Sequence, residues 1–402
     1  MSTSVDAGPA HLTQADRPAA IVACVGLAIL GFSLFMGMPI LVGALVDDFG
    51  FSEEQVGYLA AADLGGMFVA SIATSLLVTR VDRRMLASAG IFAAILCNLL
   101  SLGENAFWTL LPIRFLAGTG AGLAYAIAVA VLAGSHHTAR NYTYLIFGQV
   151  LTNALILYTF PHISGKWGAN GIFVAYCAVF SAGLVFVFWL PRYFDAMEQE
   201  RVSRTEGVRA HFPSYLCWLC LIAVFGFYFM IGAYWAYIER IGVHLGFDPE
   251  FIGLLLAVFT VFSLIGCAAA YWLSRRCGQS RPLLGALLTM LSVLSLHALG
   301  INVVVYFVGL VAIFLLWNFI DIYQLGTIAN IDHSGRYAAL LPAAQGLSMA
   351  AGPAAGGFLL GRGFGYEAVM GAGAASVALA LVAYGVVHSR LRSLSPSLAY
   401  EQ

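Results

Sequence analysis

GFSEEQVGYLAA, running from Gly50 to Ala61, returns 196 residues later as GFDPEFIGLLLA, from Gly246 to Ala257. The copies align Gly50 with Gly246, Phe51 with Phe247, Glu54 with Glu250 and Gly57 with Gly253. Each opens a long apolar run that ends in a basic loop, TRVDRR (Thr79 to Arg84) in the first copy and RRCGQS (Arg275 to Ser280) in the second. A duplicated unit is the simplest account of a repeat at this distance.

Composition says what kind of unit is duplicated. The 402 residues are 61% hydrophobic and 10% charged, with mean hydropathy +0.87, whereas a soluble domain is about a quarter charged. Apolar runs fall at approximately 20–45, 56–79, 86–103, 107–133, 143–162, 171–190, 214–238, 250–274, 283–299, 301–328, 338–360 and 367–388. A run of roughly twenty residues is what a helix needs to cross the hydrocarbon core. Backbone groups in hydrocarbon must pair within their own segment, and runs without strand alternation do so as helices. The expected fold is an all-α membrane protein of about twelve transmembrane helices, arranged as a duplicated six-helix unit.

The longest polar connection, Pro191 to Phe212, divides these runs six and six. The reading is a tail over 1–19, a first bundle over 20–190, a linker over 191–213, a second bundle over 214–388 and a tail over 389–402. Basic residues resist translocation and gather in cytoplasmic loops. With the N-terminus inside, 15 of the 19 basic residues fall on the cytoplasmic side; Lys166, Arg240 and Arg362 fall outside, and Arg114 lies within a span. Both termini are expected in the cytoplasm of a cell with a bacterial-type inner membrane. The first apolar run is longer than a signal-peptide core and lacks a small-residue cleavage pattern, so it reads as a span.

Several function classes drop out. A net charge of −1 offers no footprint for nucleic acid. The sole lysine, Lys166, precedes Trp167, which rules out a phosphate-binding loop of the G-x-x-x-x-G-K-[ST] type. GTGAG from Gly118 stands within a span and reads as a close helix contact. Cys24, Cys97, Cys177, Cys217, Cys220, Cys267 and Cys277 read as small apolar side chains. His136, His137 and His297 have no company suited to a metal, and no H-E-x-x-H or nucleophile–base pair suggests an enzyme. Neither metal nor cofactor is expected.

Three motifs carry a resemblance over essentially the whole chain. SLLVTRVDRR, from Ser75, is similar to the loop pattern G-x-x-x-D-R-x-G-R-R through Arg80, Arg83 and Arg84, with Thr79 in place of the carboxylate and Asp82 nearby. RFLAGTGAG matches R-x-x-x-G-x-G-x-G through Arg114, Gly118, Gly120 and Gly122. SMAAGPAAGG, through Gly352, Pro353, Gly356 and Gly357, resembles a Gly-Pro motif known from the fifth span of exporters, which the fifth span here lacks. The sequence thus resembles the major facilitator superfamily. That resemblance implies two pseudo-symmetric six-helix bundles rocking about a central solute site, a gating loop at Arg80, Asp82, Arg83 and Arg84, and a chain working as a monomer with a small-molecule solute and the bilayer as partners.

Within the spans, charged and polar residues are the candidate transport groups. Arg114 is too deep to stand unpaired, and Asp63 has a similar depth and the opposite charge. The pair reads either as a proton-exchanging couple or as a permanent salt bridge. Arg114, Gly118, Ala121 and Tyr125 share a helical face expected to border a polar cavity. Trp317, Asn318, Asp321 and Gln324 form a second stripe, with Asp321 either facing the cavity or the cytoplasmic gate, or simply reaching water or Arg336. Tyr228, Gly232, Trp235 and Glu239 form a third, flanked by Tyr234 and Tyr237; the aromatics at its outer end equally suit an interfacial belt. Gln149 and Asn153 in the fifth span and Gln345 in the eleventh either bind solute or tie helices together. One buried cation beside aromatic groups points to a small amphiphilic or monoanionic organic solute, an aromatic acid among the candidates; ionisable groups at depth point to proton coupling, and the resemblance implies alternating access. A multidrug exporter and a solute sensor are the alternatives.

Overall fold

The computed structural model describes residues 14–78, 80–193, 213–332, 337 and 340–394. Thr79, Arg201, Arg204, Arg209 and Arg336 lie outside the described residues, as does most of the connection between the halves.

The described chain is helical almost throughout: α1 (Pro18–Met36), α2 (Met38–Phe49), α3 (Glu53–Leu77), α4 (Arg83–Leu100), α5 (Phe107–Ala133), α6 (Thr138–Val187), α7 (Ser214–His244), α8 (Pro249–Thr260), α9 (Phe262–Cys277), α10 (Ser280–Leu299), α11 (Val303–Ile331), α12 (Leu341–Gly361) and α13 (Tyr366–Leu394). The first apolar run is broken at Gly37, between α1 and α2, because Pro39 has no N–H to give the Phe35 carbonyl. The eighth is divided at Val261. The 50-residue α6 reverses at Gly168, whose φ of 62° and ψ of −161° leave the helix. Phe160 and Tyr176, equally far from that turn, bring their rings to 5.2 Å. Among the described residues, ten helical segments are long and apolar enough to cross a membrane, α8 and α9 together forming one of them; the reversal of α6 and the small-residue helix α12 bring the crossings to twelve. Large apolar side chains such as Leu76, Phe92, Leu155 and Val382 are exposed on the outer faces, as expected where the solvent is lipid.

The sequence repeat is a repeated turn. Gly50 and Gly246 end α2 and α7 with φ of 68° and 88°, a conformation that favours glycine. Ser52 then caps α3, its hydroxyl accepting from Gln55 N at 3.2 Å while Ser52 N donates to Gln55 Oε1 at 3.0 Å. Asp248 stands at the equivalent N-cap of α8, with Pro249 beginning the helix.

Two bundles result. In the first, α5 packs on α1, α3 and α4; in the second, α7 packs on α12 and α13, and α11 on α9 and α10. The most extensive contacts between them join α3 with α12, α2 with α7, and α6 with α8. The joints obey the repeat. A Cβ on Gly57 would meet the Pro353 carbonyl and Gly357, and one on Gly253 would meet the Leu157 carbonyl and Pro161; moving 57, 157 and 161 on by 196 residues gives 253, 353 and 357. The bundles are tightest at the end carrying Gly50 and Gly246. Toward the arginine-rich end, α9 packs on helices of its own bundle.

Candidate functional site

Between the bundles, Tyr228 on α7 donates its hydroxyl hydrogen to Asp321 Oδ1 at 2.7 Å, and Gln345 Nε2 on α12 donates to the same oxygen at 3.2 Å. Across from this triad, the Tyr125 ring stacks on Phe32 with centroids at 5.2 Å, and its hydroxyl faces Gln149. The two groups are repeat partners: 32, 125 and 149 advance by 196 to 228, 321 and 345. The site is therefore pseudo-symmetric in position and asymmetric in chemistry, with a carboxylate in one half where the other has a phenol. Asp321 is close enough to act electrostatically on Tyr125.

Above this level the site has a ceiling. Trp235 is seven residues beyond Tyr228 on α7, about 10 Å of helix rise. Its ring lies 5.7 Å from Phe35, 6.0 Å from Trp317 and 5.9 Å from Phe314. Its Nε1 donates to the Phe35 carbonyl at 2.8 Å, the acceptor that Pro39 leaves free. Phe35, Trp235 and Phe314 are buried, whereas Phe32, Tyr125, Gln149, Trp317, Asp321 and Gln345 are partly exposed. That gradient describes a crevice closed toward the Gly50 end by aromatic rings. Trp235, Tyr234 and Tyr237 are all buried, so the interfacial-belt reading does not describe them: Trp235 and Tyr237 face the bundle joint, and Tyr234 packs on His297 inside the second bundle.

Arg114 and Asp63 are brought together as their depth suggested, but elsewhere. Arg114 Nε and Nη2 reach Asp63 Oδ2 at 3.1 and 2.9 Å, Nη2 meets Oδ1 at 2.9 Å, and Nη1 donates to Asn98 Oδ1 at 3.0 Å. The guanidinium lies over the Phe173 ring at 5.3 Å. All these partners belong to the first bundle, and Arg114 is fully buried among them. Of the face shared by Arg114, Gly118, Ala121 and Tyr125, only Tyr125 reaches the central crevice. A Cβ on Gly118 would strike the Asp63 carbonyl, one on Gly122 would meet Met67, and one on Gly120 would strike Gly90, so these glycines seat α5 against α3 and α4. Gly352 and Gly356 seat α12 against α7 in the same way, with Pro353 and Gly357 facing α3.

The Gly50 end is sealed by charge as well as by packing. Arg240 on α7 crosses to the first bundle, donating from Nη1 to Asp47 Oδ1 at 2.9 Å and from Nε to Glu53 Oε1 at 3.1 Å. Tyr366 donates to the same Glu53 oxygen at 2.8 Å, and Tyr237 to the Glu53 carbonyl at 3.1 Å. In the sequence Arg240 stands out only as an exception to the arginine bias; its acidic neighbours beside Gly50 were the available signal.

The remaining candidates make the following contacts. Asp82 caps α4, accepting from Arg84 N at 2.8 Å and Met85 N at 3.3 Å. Arg84 Nε donates to the Leu190 carbonyl at 2.6 Å, Arg83 N to the Arg192 carbonyl at 2.9 Å, and Arg80 N to the Leu77 carbonyl at 2.9 Å. Asn318 is partly buried beside Trp317, and Asn153 Oδ1 is buried without a hydrogen-bond partner. One surface cleft is lined by apolar residues of α10 and α11, among them Val293, Phe307 and Val311, away from the polar cluster.

The model of the Major Facilitator Superfamily matches residues 23–331. The chain belongs to the major facilitator superfamily. No curated protein sequence matches it. Among solved structures it is similar to the nucleoside transporter NupG, at 9% identity and a TM-score of 0.66 over 93% of this chain and 99% of that one. It is similar to a D-xylose–proton symporter at 15% identity and 0.67, covering 92% and 96%. A bacterial homologue of the human lysosomal transporter Spinster, inward-facing and unoccupied, follows at 13% and 0.65, covering 92% and 95%. At such identities the likeness is one of fold, and this major facilitator chain must be read for function from its own residues.

Proposed function

We propose that this protein is a proton-coupled secondary transporter that carries a small, ring-bearing organic solute, uncharged or cationic, through the crevice between Asp321 and Tyr125. The observation that carries the reading is the hydrogen-bonded Tyr228–Asp321–Gln345 group beneath the Phe35–Trp235–Trp317 rings. Rings offer a flat apolar wall to a planar or cyclic solute. Asp321 and Gln345 supply acceptors for its hydroxyl or amino hydrogens. Arg114, the basis for expecting a monoanion, already has its charge met by Asp63 and a further donor met by Asn98, so the acidic group faces the solute and the basic one does not. The nucleoside and xylose named for two neighbours are uncharged ring compounds rich in donors, in keeping with this choice.

Alternating access supplies the rest. The arginine-rich end is assigned to the cytoplasm by the positive-inside bias, which makes the sealed Gly50 end the outer one and this conformation inward-facing. Asp321, an ionisable group at the solute site, is the coupling residue in this scheme. The test uses purified protein in sealed vesicles. Uncharged ring solutes or amines should raise its thermal stability and exchange across the membrane, a protonophore should abolish their accumulation, and Asp321→Asn should weaken binding. Tight binding of aromatic monocarboxylates that Asp321→Asn leaves unchanged would overturn the solute assignment. Accumulation that survives the protonophore and follows a sodium gradient would overturn the coupling.

A further inference from the structure

Four residues beyond Trp235 on α7, Glu239 is buried to 2% exposure inside the seal, and its Oε2 has no hydrogen-bond partner. The carboxyl group is pressed against the first bundle at Gly43: a Cβ there would fall 2.8 Å from Oε1 and 2.7 Å from the carboxyl carbon, and would overlap Oε2. Residue 43 is also the repeat partner of 239, so the two copies of one position face each other across the joint and only one has room for a side chain.

The charges around this carboxyl do not favour its ionised form. From its own helix Arg240 is near, but its guanidinium is committed to Asp47 on α2 and Glu53 on α3. Asp47 and Glu53 are themselves negative and act on Glu239. From α11 the Tyr306 phenol approaches, with its hydrogen given to the Ile238 carbonyl at 3.0 Å. Two carboxylates thus occupy the one guanidinium, and the third, innermost carboxyl receives no donor on Oε2. An ionised carboxylate in that position would be a charge out of water with an unmet acceptor.

We propose that Glu239 is a proton-binding site built into the outer seal, neutral while the Gly50 end is shut and ionised when that end opens and water reaches it. This rests on the reading of the Gly50 end as a gate in an alternating-access cycle. When α2 leaves α7, the proton departs to the outer solution and Glu239 becomes a hydrated carboxylate; closure takes one proton back. The sign follows. Acid favours the shut gate and alkali the open one, independently of any proton carried at Asp321.

The experiment reads the gate directly. Spin labels on Asn105→Cys and Phe364→Cys, at the Gly50 ends of the two bundles, report their separation in full-length protein in which Cys277, the exposed native thiol, is Ser. The expected result is a population of long distances that grows as pH rises in the otherwise wild-type protein and stays small at every pH in Glu239→Gln. Infrared spectra supply a second readout, a protonated-carboxyl band present with the gate shut and missing in Glu239→Gln. If Glu239→Gln opens with the wild-type pH dependence, or the band persists in it, the proposal is overturned while the gate survives. If pH moves nothing but Arg240→Gln lengthens the distance, the gate again stands and Glu239 is not its proton site. If neither pH nor Arg240→Gln moves the distance, the gate reading falls and takes this proposal with it.

Discussion

Tyr125 and Asp321 are one position of the two repeats, 196 residues apart, and they line the same crevice with a phenol on one wall and a carboxylate on the other. Duplication supplied two related walls, and this difference places a carboxylate on one of them only, where the added hydroxyl of Tyr228 donates to it. The flanking pairs keep the symmetry, Gln149 with Gln345 by identity and Phe32 with Tyr228 by shape.

Asp321→Asn is expected to weaken solute binding about thirtyfold, the equivalent of about 2 kcal/mol for a hydrogen bond to a charged group. It should leave downhill exchange measurable while abolishing uphill accumulation. Tyr125→Phe, which removes a neutral hydroxyl, should cost roughly tenfold or less. Calorimetric titration and counterflow on the same preparations check both, and equal losses in the two variants would argue against the asymmetry.

Arg114 and Asp63 are expected to hold the first bundle together. Arg114→Ala leaves a carboxylate buried and should cost about 3–5 kcal/mol of stability. The second bundle shows an apolar solution at the repeat-related positions of Asp63, Asn98 and Arg114, which are Phe259, Leu294 and Leu310. Replacing Asp63, Asn98 and Arg114 together by Leu should therefore recover much of that stability and retain transport. Recovered stability with uphill transport lost and exchange kept would instead make the pair a coupling device.

Arg240→Gln removes the guanidinium that bridges Asp47 and Glu53 at the seal. Asp47 is 49% exposed at its side chain and Glu53 26%, so water and salt screen both pairs and the effect is modest. The shut conformation should lose about 1 kcal/mol, roughly a fivefold change in the ratio of open to shut molecules. Spin-label distances report the ratio, and high salt should reproduce part of the change in the wild-type protein.

Gly57→Val and Gly253→Val place side chains into the two repeat-related joints, against the Pro353 and Leu157 carbonyls. Each should disfavour the shut Gly50 end by about 1–3 kcal/mol, the usual cost of overpacking a tight contact. Outer-side labelling of a reporter cysteine should rise in both. If only one variant responds, the joints do not move as a symmetric pair.

What the sequence determined by itself was the part written in composition and period. Runs long enough to cross a bilayer, an arginine bias and a repeat at 196 residues are one-dimensional signals, and they settle twelve crossings in two related bundles because lipid leaves the backbone few other choices. The depth and charge of Arg114 and Asp63 were enough to pair them. Tertiary structure decided which way each polar face turns. Helical spacing shows that Arg114 and Tyr125 share a stripe, yet the angle of α5 in its bundle sends the arginine into the core and leaves only the tyrosine in the crevice. The same holds for the aromatics of α7, which are an interfacial belt or a ceiling depending on how that helix rotates against α2. Arg240 and Glu239 are adjacent in the chain, but whether their partners are water or the opposite bundle depends on the approach of Asp47, Glu53 and Gly43, a contact made only when two separately packed bundles close on each other.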